Sequence, residues 1–201
     1  MTTSGENTEI QILVAAREVF IAKGYESARM QEIADRAGIN KALLHYYFRS
    51  KENLFDAVFS EVAAHLFPAV RQLLESNLAI KEKISFFVKI YLNALHENPY
   101  IPSFVINTLN SNPERFLKYI QKSGINPVMI QKQIDEEAAR GIIRPIKAEH
   151  LLVNTIAMCL FPFVARPIIQ NIFQMSDAEY QAYLELRQTE VIDFVHKSLA
   201  V

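Results

Sequence analysis

The chain has 201 residues, half of them apolar, with 21 Lys and Arg against 22 Asp and Glu and a formal net charge of −1. Only five residues are Gly and no stretch is low-complexity, which excludes a disordered chain and allows one small domain plus one medium one. Cys159 stands alone, excluding an internal disulfide, and the longest apolar stretch, Ile156 to Ala165, contains Pro162 and falls short of the ~20 residues of a membrane span.

Met1 to Asn7 is polar, reads as a flexible tail and offers no secretory signal, so a soluble, cytoplasmic protein is expected. Ile10, Leu13, Ala16 and Phe20 recur at helical spacing and predict a first helix over residues 8–23, ended by Gly24. From Met30, two short helices are separated by a tight turn at Gly38-Ile39. Ile33, Ala34 and Ala37 share one face of the first; Asn40 is a good N-cap for the second, and Leu44 and Phe48 give it an inward face. Ser50 and Glu52 open the next helix. It carries Leu54, Val58, Val62 and Leu66 on one side and Phe55 and Phe59 on another, suited to touching two bodies at once. Residues 8–50 therefore read as a three-helix domain with a helix-turn-helix, and 51–66 as a linking helix.

Pro68 is expected to kink or end that helix, which resumes to about Asn77. The remainder, 67–201, reads as a larger helical domain. Ile80 to Leu95 repeats apolar residues to a stop at Asn98 before Pro99; Pro102 to Asn110 is short; Asn112 caps a helix that begins at Pro113. Gly124 to Pro127 breaks the pattern, a helix follows from Pro127 to about Arg140, and Glu136-Glu137 with Asp135 reads as a solvated face. The helix over about 147–165 is apolar on nearly all sides. The last begins with Ser176 and Glu179 at capping-box spacing and runs to about Leu199. No strand signal appears, so the fold class is all-α.

Chemistry concentrates at the helix-turn-helix. Four basic residues and no acidic one lie between Arg36 and Lys51, although the first sixty residues together hold 7 Lys and Arg and 8 Asp and Glu. The outward set on the second motif helix is Lys41, Ala42, Leu43, His45, Tyr46 and Tyr47. Lys41 suits a base or phosphate, Tyr47 a phosphate oxygen, His45 and Tyr46 a base edge, methyl or backbone, and Leu43 apolar contact only. Asn40 and Ala42 belong to the same surface. Gln31 and Lys51 are placed to clamp the flanking DNA backbone, and the helix N-terminus adds backbone N–H groups.

The run Ile33-Ala34, Ala37-Gly38-Ile39, Leu44, Tyr47-Phe48 and Ser50-Lys51-Glu52 resembles the most specific stretch of the tetracycline-repressor (TetR) family of bacterial regulators, with similarity from about residue 8 to 66. Arg29 departs from the Ser or Thr that commonly caps the first motif helix there, His45 from the usual Tyr, and Leu43 from a position often small or polar. The resemblance implies a DNA-binding domain followed by an effector-binding and dimerisation domain, and it puts Tyr47 at a DNA contact.

In the large domain Phe87, Tyr91, Phe104, Asn107, Phe116, Tyr119, Met129, Met158 and Phe161 are candidates for an apolar effector pocket, each also explicable as core or cap. Leu152, Ile156, Leu160, Tyr180, Leu184, Val191 and Val195 would form a four-helix dimer interface, or complete a monomeric core. The five histidines are dispersed, with no metal spacing, catalytic elbow or phosphate loop, so no enzyme and no cofactor is expected. The expected function is a homodimeric regulator, a repressor released by a small, largely apolar effector. It binds a palindromic operator whose half-sites lie about 34–36 Å apart. The alternative is a helical ligand- or partner-binding protein whose motif no longer reads DNA.

Overall fold

A computed structural model describes residues 3–111, 113–126 and 128–201, and among these the chain is built from helices without a strand. The expected cap at Asn112 and helix start at Pro127 lie outside the described residues. α1 spans Thr3–Ser27 and is interrupted at Gly24, whose φ of 75° only glycine adopts at little cost. It already includes Thr3 to Asn7, which the sequence reading set aside as a flexible tail. α2 (Met30–Arg36), α3 (Lys41–Tyr47) and α4 (Lys51–Glu75) follow. α4 runs unbroken through Pro68, past the expected stop. A proline costs one backbone bond, to Ala64, but the exposed position of Pro68 leaves room for its ring.

α5 (Ile80–Glu97) ends where Asn98 closes the chain onto Ala94 and Pro99 follows. α6 (Ile101–Ser111), α7 (Pro113–Ser123), α8 (Val128–Ala139) and α9 (Ala148–Val164) come next. α10 (Arg166–Ile172), which periodicity did not predict, is bent 74° from α9, and α11 (Asp177–Ser198) closes the chain. Ser176 and Glu179 form the expected capping box, with reciprocal bonds of 3.3 and 2.8 Å.

Two buried clusters organise these helices. The first joins α1, α2, α3 and the first half of α4 to Tyr100, Ile101 and Phe104 at the start of α6. Phe55 is its centre: its ring stacks on Phe104 at 3.7 Å between centroids and meets Phe20, Tyr25 and Tyr100 at 5.0 to 5.7 Å. The second cluster lies in α5, α8, α9 and α11 around Val88, Leu92, Ile134, Leu151 and Val191. Cys159 is fully buried in it, and burial pushes its thiol up to about 12.

Glu137 corrects the reading of a solvated acidic face. It is buried, and its carboxylate accepts from the backbone N–H of Ile80 at 3.0 Å and from Gln133 at 2.8 Å. Gln133 in turn accepts from the buried ammonium of Lys83 at 2.8 Å, which also donates to the Leu74 carbonyl. The network satisfies the otherwise orphaned start of α5 and the end of α4. Asp135 and Glu136 remain exposed.

Because Phe55 sits where the motif helices meet α6, truncating it should loosen the whole molecule. Phe55→Ala is expected to lower the unfolding free energy by about 3–5 kcal/mol. Denaturant should expose Cys159 to a thiol reagent at the same concentration at which helical ellipticity is lost. Separate transitions would show that the aromatic cluster does not couple the two cores.

Candidate nucleic-acid interface

α2 and α3 are each seven residues, too short to hold themselves helical in water. Their geometry is imposed by packing and by the turn between them. Ile33, Ala34 and Leu44 are fully buried and Phe48 nearly so, and the small Ala34 allows close crossing. Gly38 adopts φ 67°, which lets its neighbour Ile39 return an N–H to the Ala34 carbonyl at 3.0 Å. Asn40 is the N-cap of α3: its side chain accepts the Leu43 N–H at 2.8 Å. Arg29 occupies the corresponding place before α2 and makes no side-chain cap bond.

This leaves Lys41, Ala42, Leu43, His45 and Tyr46 exposed on α3. Tyr46 is 79% exposed and meets Tyr47 edge-on at 5.4 Å, whereas Tyr47 is half-buried against the first core cluster. His45 has Nδ1 3.3 Å from the Arg49 carbonyl, which fixes the ring beside the end of the helix. Gln31 is exposed but engaged, donating to Asp35 at 2.7 Å.

Ion pairs consume much of the nearby positive charge. Arg36 is paired with Glu18, and Lys23 with Glu32 at 2.6 Å. Lys41 and Arg49 are exposed without such a partner among the described residues, and Arg49, absent from the site set that sequence suggested, adjoins α3 directly.

Lys51 is placed otherwise than expected. Its ammonium donates to the carbonyls of Tyr25, Glu26 and Ala28 at 2.9, 3.1 and 3.3 Å and lies 4.5 Å from the centre of the Tyr25 ring. All three donors are used, so no N–H remains for a phosphate. Lys51 instead ties the end of α1 to the start of α4. Beside it Glu52 is held below the usual carboxylate range, chiefly by its own backbone N–H and then by the Ser50 hydroxyl.

The candidate pocket residues do not come together. Phe104, Phe116 and Tyr119 pack with the first cluster, and Asn107 donates to Glu26 at 2.8 Å. Phe87 and Tyr91 stack on each other at 5.4 Å; Tyr91 and Met158 pack on the second cluster, while Met129 and Phe161 face outward.

Four of the residues expected at a dimer interface are core of a single chain. Val191 and Val195 belong to the second cluster, Leu184 is buried, and Tyr180, 1% exposed, donates its hydroxyl to the Pro162 carbonyl at 2.5 Å. α11 turns that face inward onto α5 and α9. Leu152 and Leu160 are half-buried and Ile156 is exposed. No cluster of His, Cys, Asp or Glu among the described residues could hold a metal ion.

A glycine-turned helix pair with an exposed, aromatic and basic second helix, carried on an all-α body, defines a helix-turn-helix DNA-binding regulator. Residues 12–58 match the family model described as bacterial regulatory proteins, tetR family. The chain is 36% identical over 88 residues to the transcriptional activator FasR of Mycolicibacterium smegmatis, a match spanning 44% of this chain and only 40% of that protein. It is 24% identical over 188 residues to the transcriptional repressor NicS of Pseudomonas putida, covering 88% and 85% of the two chains. The crystal structure of HlyIIR, a hemolysin II transcriptional regulator, superposes with a TM-score of 0.62 at 23% identity, over 94% of this chain and 97% of that one. The protein belongs to the TetR family of transcriptional regulators. Its relatives are regulators and not enzymes.

Since Lys51 bridges helices, Lys51→Ala is expected to cost stability first, on the order of 1.5–3 kcal/mol for the charge-assisted bonds it makes. A fall in the thermal midpoint is the measurement. An unchanged midpoint with DNA binding lost would return Lys51 to the DNA surface.

Proposed function

We propose that the protein is a homodimeric repressor whose two copies of α3 read a palindromic operator, and whose body releases DNA when a small effector binds. The observation that carries the reading is the exposed face of α3, where Lys41, His45 and the outstanding ring of Tyr46 sit beside Arg49, which has no ion-pair partner among the described residues. A two-turn helix enters a major groove with only a few side chains, so specificity needs a second copy. Repression is favoured by the likeness to NicS, which extends over most of the chain.

The dimer surface we assign differs from the one expected from sequence. Val153 and Phe161 of α9 are 62% and 61% exposed, and Leu186 and Phe194 of α11 are 65% and 63% exposed. Large apolar side chains left in water on two long helices support a self-complementary contact through these positions, with Ile156 and Leu160 in the same strip. The DNA surface comprises Lys41, Ala42, Leu43, His45, Tyr46 and Tyr47, with Arg49 added, Gln31 at its edge and Asn40 contributing through its cap of α3.

Two outcomes test this. Lys41→Ala should weaken operator binding and reduce the slope of log affinity against log salt by about two, roughly one per copy of the lysine in the dimer. A slope that stays at the wild-type value removes Lys41 from the phosphate contacts, and affinity without salt dependence would favour the alternative of a motif that no longer reads DNA. Separately, Phe161→Asp with Phe194→Asp should yield a folded monomer in sedimentation, with operator affinity lowered about 100-fold or more. A dimer that survives both changes refutes this interface.

A further inference from the structure

A cavity of about 950 Å3 opens between α1, α4 and α5, where the motif-bearing helices meet the body. It is not the aromatic region in which sequence suggested a pocket. Val62, Leu66, Ile90 and Ala94 line it with apolar surface. Most of its polar groups are acceptors; of the two amides in the lining, Asn93 is exposed and Asn98 donates to the Ala94 carbonyl at 3.0 Å. Glu61 and Glu97 present carboxylates. His65 holds its Nδ1 2.8 Å from the Glu61 carbonyl; an acceptor there requires Nδ1 to carry the hydrogen, which leaves Nε2 an acceptor in the neutral ring. Ala64 adds a backbone carbonyl whose helical donor is missing, because residue 68 is proline.

Against these acceptors stands one cation, Arg17. Its Nη2 is paired with Glu61 at 2.6 Å, and its buried Nε has no hydrogen-bond partner among the described residues. Glu97 is the more telling group. It is the last residue of α5, at the negative end of the helix dipole, is exposed, and has no ion-pair partner among the described residues. A carboxylate placed against the dipole without a partner gains nothing locally, and such local conflicts mark functional positions.

We infer that this cleft is the effector site, and that it takes a protonated amine carried on an apolar body. The inference rests on the reading of the protein as an effector-released regulator and names the site and the ligand chemistry. The ammonium supplies donors to Glu97 and the Ala64 carbonyl and competes with Arg17 for Glu61, and the apolar body covers Val62, Leu66 and Ile90. An excess of carboxylate over cation excludes nucleic acid and disfavours anionic ligands. The coupling lies in Glu61. Its pair with Arg17 ties α1 to α4, so an ammonium that shares Glu61 competes with Arg17 and favours an arrangement in which α1 is less firmly seated.

The chain contains no tryptophan, so indole emission reports a ligand without protein background. Tryptamine is the probe, and indole-3-acetate, with the same ring and a carboxylate in place of the amine, is the control. Saturable anisotropy is expected for tryptamine with the full chain, and none for indole-3-acetate. Glu97→Gln should weaken tryptamine by about tenfold or more while retaining the wild-type melting curve. Tryptamine should also lower affinity for a duplex selected by the protein from random sequence. Absence of saturable tryptamine binding, equal binding of indole-3-acetate, insensitivity to Glu97→Gln, or unchanged DNA affinity at saturation would each overturn the proposal. Failure to select any duplex, with tryptamine still bound through Glu97, would sink the regulatory reading and leave the amine site standing.

Discussion

Everything that positions the DNA-facing helix depends on the packing of rings around Phe55. α3 has two turns and no intrinsic stability, so its orientation is that of the core beneath it. That core does not stop at the motif. Phe20 and Tyr25 come from α1, Phe55 and Phe59 from α4, and Tyr100 and Phe104 from the chain entering α6. Close-packed aromatic rings do not shear past one another continuously, so a displacement of α6 or α4 moves the motif as a body. Lys51 completes the clamp by gathering the last carbonyls of α1 onto the first turn of α4. The sequence that makes α4 apolar on two sides is thus read twice, once by the motif helices and once by the body.

Local signals in the sequence were accurate because they depend on a few adjacent residues. Gly38 in the turn, Asn40 and Ser50 at their caps, and the Ser176–Glu179 box all form as their spacing implies. What periodicity could not supply is the identity of the partner covering an apolar face. Tyr180, Leu184, Val191 and Val195 mark one side of α11 correctly, but that side is turned onto its own chain, while Leu186 and Phe194 on the opposite side stay in water. Lys51 and Glu137 show the same limit for charge. A lone lysine in a basic run and a glutamate in an acidic run look solvated until a distant helix end, needing donors or acceptors, is brought to them. α10 had no signal beyond Pro167 near its start, since seven residues give less than two full repeats.

The two internal prolines show how one backbone defect can have different consequences. Pro162 in α9 withholds a donor from the Met158 carbonyl, and Arg187 of α11 donates to that oxygen at 3.0 Å while Tyr180 takes the carbonyl of Pro162 itself. The defect there becomes a fastening between α9 and α11. Pro68 in α4 withholds a donor from Ala64, which lines the open cleft. Among the described residues no side chain donates to it, and α5 presents Asn93, Ala94 and Glu97 to the cleft. A carbonyl covered by an arginine in one helix is left exposed at the surface in the other.

Charge follows a related economy. The motif-bearing helices are nearly neutral overall because Arg17, Lys23 and Arg36 are each tied to a glutamate. Those pairs are surface-exposed and individually weak, yet they fix where positive potential survives. It survives at Lys41 and Arg49, at the two ends of α3, and at Arg29 before α2. A DNA surface with so few free cations per chain gains little non-specific attraction, since that term counts neutralised phosphates. Binding through it then depends chiefly on contacts to base edges. Near-neutrality of the motif-bearing helices is therefore consistent with DNA reading.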